Sequence, residues 1–233
     1  MFNFLVNLLN KTTNTFMRNA IKGVSLVLSL IFSSCTAKEK PVVKEEFKEP
    51  VKIKVKEGME VATFAGGCFW CTEAVFLEIK GVEKVVSGYI GGKIINPTYK
   101  EICTGETGHA EAIQITFNPN EVAYEDLLEV FFGTHDPTTL NRQGADVGTQ
   151  YRSEIFYHSE AQKTKAENYI QLLEKEKLYD KKIVTKVSSA TVFYPAEDYH
   201  QNYYNQNSSQ GYCQMVIAPK LEKLRKYYKS KLK

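Results

Sequence analysis

The chain of 233 residues predicts an α+β fold, a two-layer α/β sandwich around one sheet. Two observations carry this. Strand-like and helix-like segments follow one another in the order βαβ–βα–βαβ from Met59 to Ser188, and glycine pairs punctuate them at Gly66-Gly67 and Gly91-Gly92. A third is composition: 43 % hydrophobic residues with 24 % charge suits a soluble globular domain.

Taken in order, Met59 to Ala65 reads as a strand running into Gly66-Gly67. Cys68 to Ile79 reads as a helix whose Ala74, Val75, Leu77 and Ile79 supply apolar contacts. Val82 to Ile90 is a strand, and Ala110 to Phe117 alternates as another. Tyr124 to Phe132 has helical spacing, and Thr134 to Gly148 is a loop rich in Gly, Asp and Thr. Tyr151 to Tyr157 is a strand, Ser159 caps a helix reaching about Glu176, and Ile183 to Ser188 is a further strand. After Pro219, Leu221 and Leu224 mark an amphipathic terminal helix. Seven basic residues and one acid between Lys220 and Lys233 form its solvated face.

Residues 1–34 read as a segment apart from the fold. Arg18 and Lys22 precede a nine-residue apolar run from Val24 to Phe32, short of the roughly 20 residues that span a bilayer. Phe32-Ser33-Ser34-Cys35 follows. The arrangement resembles a bacterial lipoprotein signal, with Cys35 as the lipidated first residue of the mature chain and Met17 as the true start. Residues 35–57 carry seven lysines and five glutamates with too little apolar surface to order, hence a charged tether. The folded domain is expected over 58–233, exported and held at a membrane of the cell envelope through the lipid. Of the net charge of +3, Lys11, Arg18 and Lys22 account for three, so the mature chain is near neutral. A basic nucleic-acid footprint is therefore not supported.

The chemistry gathers around cysteine. Five are present, Cys35, Cys68, Cys71, Cys103 and Cys213, too few for a disulfide-stapled scaffold. Cys68 follows two glycines at a strand-to-helix turn, where unpaired N–H groups favour the nucleophilic thiolate. Cys71, three residues on, can close a disulfide across one helical turn. His109-Ala110-Glu111 beside a Cys-x-x-Cys suggests a zinc deaminase, but the order is reversed and no proline precedes Cys68, so no metal is expected. Glu111, if buried, would be a carboxyl with a raised pKa able to donate a proton; taken alone it reads better as a solvent-facing strand residue.

Six motifs then occur in order: Gly67-Cys68-Phe69-Trp70, Asn96-Pro97-Thr98-Tyr99, Thr107-Gly108-His109-Ala110-Glu111, Gly148-Thr149-Gln150-Tyr151-Arg152-Ser153, Glu197-Asp198-Tyr199-His200-Gln201 and Gly211-Tyr212-Cys213. Together they closely resemble the A-type peptide methionine sulfoxide reductases, from about Val61 to Pro219. The resemblance implies a ferredoxin-like core with additional helices and a C-terminal arm. It implies that Cys68 attacks the sulfur of methionine-S-sulfoxide, with Glu111, Tyr99 and Tyr151 as donors to the oxygen and Asp146 orienting the site. Phe69 and Trp70 would wall the pocket for the S-methyl group. Cys68 is left as a sulfenic acid that a second thiol condenses with. Some family members resolve with the cysteine matched by Cys213, others with that matched by Cys71, and this chain has both; a relay between them is the expectation. Cys213 follows Ser-, Asn- and Gly-rich sequence from Asn207 to Gly211, which suits a mobile arm.

No cofactor is implied. The implied partners are thioredoxin or a thioredoxin-like reductant and oxidised protein substrates, acting on a monomer. The rival reading is a thioredoxin-like disulfide oxidoreductase, which gives Glu111, Tyr99 and Tyr151 no role; another is a non-enzymatic lipoprotein binding module. Cys103 matches no catalytic position and reads as packing. His200, with Tyr203 and Tyr204, reads as packing and supporting hydrogen bonds, and His135 and His158 lack partners at ligand spacing.

Overall fold

The structure is a computed structural model that describes residues 55–233. The signal-like segment, Cys35 and the tether as far as Lys54 lie outside the described residues.

The first βαβ unit is β1 (Glu60–Gly66), α1 (Phe69–Leu77) and β2 (Val82–Ile90); the short helix α2 (Tyr99–Ile102) follows. A second unit follows as β3 (Ala110–Phe117), α3 (Tyr124–Thr134) and β6 (Ser153–Tyr157). Between α3 and β6 lies a small hairpin of β4 (Arg142–Gln143) and β5 (Asp146–Val147). The chain continues through α4 (Glu160–Lys175), β7 (Lys186–Ser189), β8 (Tyr194–Pro195), α5 (Tyr203–Asn207), a π-helical turn (Cys213–Ile217) and α6 (Ala218–Tyr227). The sheet runs β7-β6-β1-β3-β2-β8. Its inner four strands are antiparallel, with Phe64 opposite both Ile113 and Ile155, and β7 joins β6 in parallel. That inner order is the ferredoxin-like arrangement.

Alternation decides which face each side chain takes. Ala62 and Phe64 of β1, Ile113, Ile115 and Phe117 of β3, and Ile155 of β6 face the main core. The opposite face is thinner: Ala65, Ile90, Ala110, Ala112, Phe156 and Phe193 cluster there, while Gln114 Nε2 donates to Thr63 Oγ1 at 3.3 Å. On the main face, α3 lays down Leu127, Leu128, Val130, Phe131 and Phe132, and the rings of Phe131 and Phe64 stack at 4.9 Å.

Helix α1 differs from an ordinary surface helix. Phe69, Cys71, Thr72, Glu73, Ala74, Val75 and Phe76 are all buried. A helix hidden on every side needs a cover on the side away from the sheet. Here α5, the π-turn and α6 provide it, through Cys213, Ile217, Leu221 and Leu224 in the main core. The expected mobile arm is thus a packed third layer over the nucleophile's helix. Ser, Asn and Gly describe only the stretch before Cys213; the apolar stripe of α6 extends back to the cysteine itself. Among the described residues, no helix is long and apolar enough to cross a membrane.

Candidate active site

Cys68 stands at the N-cap of α1, where β1 ends and Gly67 turns the chain at φ +90°. A side chain at Gly67 would meet Gln143 at 2.5 Å, so the β4–β5 hairpin packs directly on this turn. The hairpin in turn carries Asp146. The expected helix begins one residue later than the sequence suggests, which leaves Cys68 capping it and the N–H of Phe69 pointing out of its first turn.

That N–H donates to Glu111 Oε2 at 3.1 Å. Glu111 sits on β3 in the same row as Ile113 and Ile115 and is 1 % exposed. Burial outweighs the Phe69 bond and, with the charges of Asp146 and Cys71, pushes its carboxyl up to about 8. At neutral pH it is a carboxylic acid with a proton to give.

The two thiols share a hydrogen bond that shifts them in opposite directions. Cys68 is 7 % exposed. Burial first, then the hydrogen bond to Cys71 and the carboxylate of Glu111, raise its thiol well above the usual range. Cys71 receives the hydrogen bond of Cys68 and is lowered to about 7 despite burial, with Lys220 and the Tyr212 hydroxyl assisting. Desolvation at Cys68 thus opposes the N–H groups of the helix start, while the shared hydrogen bond lowers Cys71. Both remain free thiols in this structure, as do Cys103 and Cys213.

Tyr99 begins α2, set by a capping box in which Thr98 N–H donates to Glu101 Oε2 at 2.8 Å. Its own N–H donates to Glu197 Oε1 at 2.8 Å. Burial, then the charge of Glu111, raises the phenols of both Tyr99 and Tyr151, so both stay protonated. Asp146 Oδ2 accepts from the Tyr212 hydroxyl at 2.8 Å, and that hydroxyl lies 3.8 Å from Cys71 Sγ.

Phe69 is 1 % exposed and Trp70 half-buried. Trp70 stacks on Tyr203 at 3.7 Å and donates through Nε1 to His200 Nδ1 at 3.1 Å. His200 also lies 5.1 Å from the Phe69 ring and 4.3 Å from that of Tyr99. Its Nε2 finds no hydrogen-bond partner and stands 3.9 Å from Glu197 Oε2. Packing and supporting hydrogen bonds thus describe His200. His109 clips the β2–β3 connection instead of serving chemistry: Gly92 N–H donates to its Nδ1 at 3.1 Å, and Nε2 faces Ile94 O at 2.8 Å.

Sequence reasoning passed over Glu73, Glu197 and Tyr212 as individual residues. Glu73 is 1 % exposed and accepts the N–H groups of Asn202 (2.8 Å) and Tyr203 (3.1 Å), tying the base of α5 to α1. An acid within the apolar run of α1 was the available signal. Glu197 also accepts the Tyr89 hydroxyl at 2.8 Å. Cys213 is 0 % exposed and so not on an exposed arm. Cys103, expected to pack, is exposed at the end of α2 with its thiol beside the Tyr99 hydroxyl. The short α2 breaks off at the surface, leaving nothing to cover it.

A sequence model of the family described as peptide methionine sulfoxide reductase matches residues 60–232. The peptide methionine sulfoxide reductase MsrA of Deinococcus radiodurans is 58 % identical over 174 residues, 75 % of this chain and 84 % of the relative. MsrA 1 of Rhodopirellula baltica is 56 % identical over 185 residues, 79 % of this chain and 95 % of the relative. Among solved structures, reduced Mxr1 from Saccharomyces cerevisiae superposes with a TM-score of 0.64 at 33 % identity, covering 71 % of this chain and 96 % of that one. Methionine sulfoxide reductase A of Corynebacterium diphtheriae gives 0.60 at 35 % identity, covering 69 % and 80 %. A buried thiol pair facing a neutral carboxyl, on a chain matched along its whole described fold, belongs to the A-type peptide methionine sulfoxide reductase family, thiol-dependent reductases of methionine sulfoxide.

Proposed function

We propose that the chain reduces methionine-S-sulfoxide within oxidised polypeptides, with Cys68 as nucleophile and Glu111 as principal proton donor. The observation that carries the reading is Glu111: a buried carboxyl, neutral at physiological pH, held at the first N–H of the helix that Cys68 caps. Cys68 passes its proton toward the Cys71 thiolate as its sulfur bonds to the sulfoxide sulfur. Glu111 protonates the sulfoxide oxygen, and the Tyr99 and Tyr151 hydroxyls donate hydrogen bonds to it. The oxygen transfers to Cys68, methionine leaves, and Cys68 remains as sulfenic acid. Phe69 and Trp70 offer the S-methyl group an aromatic wall, and Asp146 holds Tyr212 in place beside the thiols.

Resolution begins at Cys71. Its sulfur attacks Cys68 Sγ, the sulfenic oxygen departs with protons as water, and a Cys68–Cys71 disulfide forms. Cys213 then takes over the bond to Cys71 and presents it to a thioredoxin-like reductant. The lipoprotein-like signal supports a place outside the cytoplasm, anchored through Cys35, with exported proteins as the repaired substrates. Palmitate labelling lost in Cys35→Ala would support the anchor; equal labelling of the variant would remove it.

The decisive experiment incubates residues 58–233 with each epimer of a methionine sulfoxide peptide and dithiothreitol, counting thiols consumed. Reduction of the S epimer alone is expected. Reduction of neither would end the reading, and reduction of R alone would end the epimer assignment. Glu111→Gln is expected to slow the first turnover by about 10²–10⁴-fold, the usual contribution of a positioned general acid.

A further inference from the structure

The turn from Cys213 to Ile217 interrupts an otherwise α-helical run from Gly211 to Tyr227. Upstream of it the bonding is α-type: Gln214 N–H donates to Gln210 O at 3.0 Å. At its end Ala218 N–H reaches back five residues to Cys213 O, so the turn holds one residue more than an α-turn. Every residue before the turn therefore stands one place out of the register that α6 would impose on it.

The consequence falls on two neighbours. Tyr212 occupies the position facing the thiol pair, its hydroxyl 2.8 Å from Asp146 Oδ2 and 3.8 Å from Cys71 Sγ. Cys213, about 100° around the helix, is turned into the core with Ile217, Leu221 and Leu224. If the extra residue were expelled and the turn became α-helical, the upstream segment would advance by one residue. Cys213 would then stand where Tyr212 stands, facing Cys71.

We propose that this π-turn is the switch that delivers Cys213 to Cys71, with Tyr212 as the positioning residue that holds it closed. The inference rests on the reading of Cys213 as the second resolving thiol. The two sides of the turn are built unequally, as such a shift requires. Downstream, Leu221 and Leu224 are buried and Arg225 Nε donates to Glu78 Oε2 at 3.0 Å, so α6 stays in place. Upstream, Asn205, Gln206, Ser208, Ser209, Gln210 and Gly211 are exposed and can follow the shift at little cost in packing. The chemistry balances within the chain: Cys213 Sγ loses its proton and bonds to Cys71 Sγ, the Cys68–Cys71 bond breaks, and Cys68 leaves as thiolate and recovers a proton. Tyr212 rotates away from Asp146 in the same motion.

Deletion of Met215, a side chain 76 % exposed within the turn, removes the extra residue, so that Ala218 N–H reaches Cys213 O as an α bond and Cys213 is fixed in the core with Tyr212 toward the thiols. In single-turnover mixing without reductant, the deletion is expected to slow the second disulfide exchange about tenfold or more, because the turn no longer holds a residue to expel, while Met215→Ala stays within about twofold of the parent. A deleted chain that keeps the parent's circular dichroism and exchanges as fast as the parent overturns the proposal. A crystal structure of the parent chain oxidised by excess sulfoxide decides the matter independently of that variant. Cys213 O accepting from Ile217 N–H, with Tyr212 turned away from Asp146, is the expected state. Cys213 in a disulfide while Ala218 N–H still reaches Cys213 O overturns the switch and leaves the relay standing. Cys213 found as a free thiol removes the relay, and the switch with it.

Discussion

Glu111 stands on β3 in a row with Ile113 and Ile115, at a place where a stable core would put carbon. Its folded pKa of about 8 against an ordinary 4.5 means that the folded chain holds this proton more tightly than the unfolded chain. Stability from this group is therefore full below about 4.5 and lost as pH rises through 8, a loss on the order of several kcal/mol at alkaline pH. Glu111→Gln should raise the thermal midpoint at pH 9 relative to the parent while leaving it nearly unchanged at pH 5; a variant less stable at pH 9 would contradict the buried acid. The first-turnover rate should fall as pH rises through about 8, where the donor loses its proton. Cys68 and Glu111 were legible because short motifs carry them. The burial of Cys68 was not, since it comes from elements distant in the chain.

Between elements, stability depends on contacts whose partners are far apart in sequence. Glu73 meets Asn202 from 129 residues away, and Tyr212 meets Asp146 from 66. No local pattern announces either. Glu73→Ala leaves two backbone N–H groups without their acceptor, a penalty of about 1–3 kcal/mol for each that stays buried. The amides of Asn202 and Tyr203 should then exchange with solvent markedly faster than those of β1. The ring stack between β1 and α3 is more costly to lose: Phe131→Ala should destabilise the fold by about 3–5 kcal/mol in denaturant titration. Those two elements were readable from periodicity alone, β1 by alternation and α3 by its apolar spacing. The π-turn was not, because Cys213, Ile217, Leu221 and Leu224 are spaced like any α-helical stripe. The serine- and asparagine-rich stretch before it pointed instead to a loose arm.

For the molecule as a whole, two buried histidines set the acid limit. His135 faces Phe131 O at 2.6 Å and Ser153 Oγ at 2.8 Å, and His200 accepts the Trp70 indole; burial lowers each to about 4. The unfolded chain binds these protons from about 6.5 downward and the folded chain only near 4. Stability therefore falls as pH drops through that window, by a few kcal/mol for the pair in order of magnitude. Combined with Glu111, this gives a maximum near neutrality, to be checked by urea midpoints between pH 4 and 9. The layered α/β architecture was legible because strands and helices alternate cleanly through β6. The layer covering α1 was not, since its elements are short and polar on the outside.

Trp70 is the single tryptophan of the chain. Its indole lies flat on Tyr203, the first residue of α5, at an interplanar angle of 7° and edge-on to Tyr212, the residue before the π-turn. With excitation at the red edge, beyond tyrosine absorption, emission from this protein therefore comes from one indole, seated two positions after the nucleophile. Quenching, lifetime and anisotropy of that one ring give a label-free optical record of each redox state, resolved in time by stopped flow and free of background from any other indole.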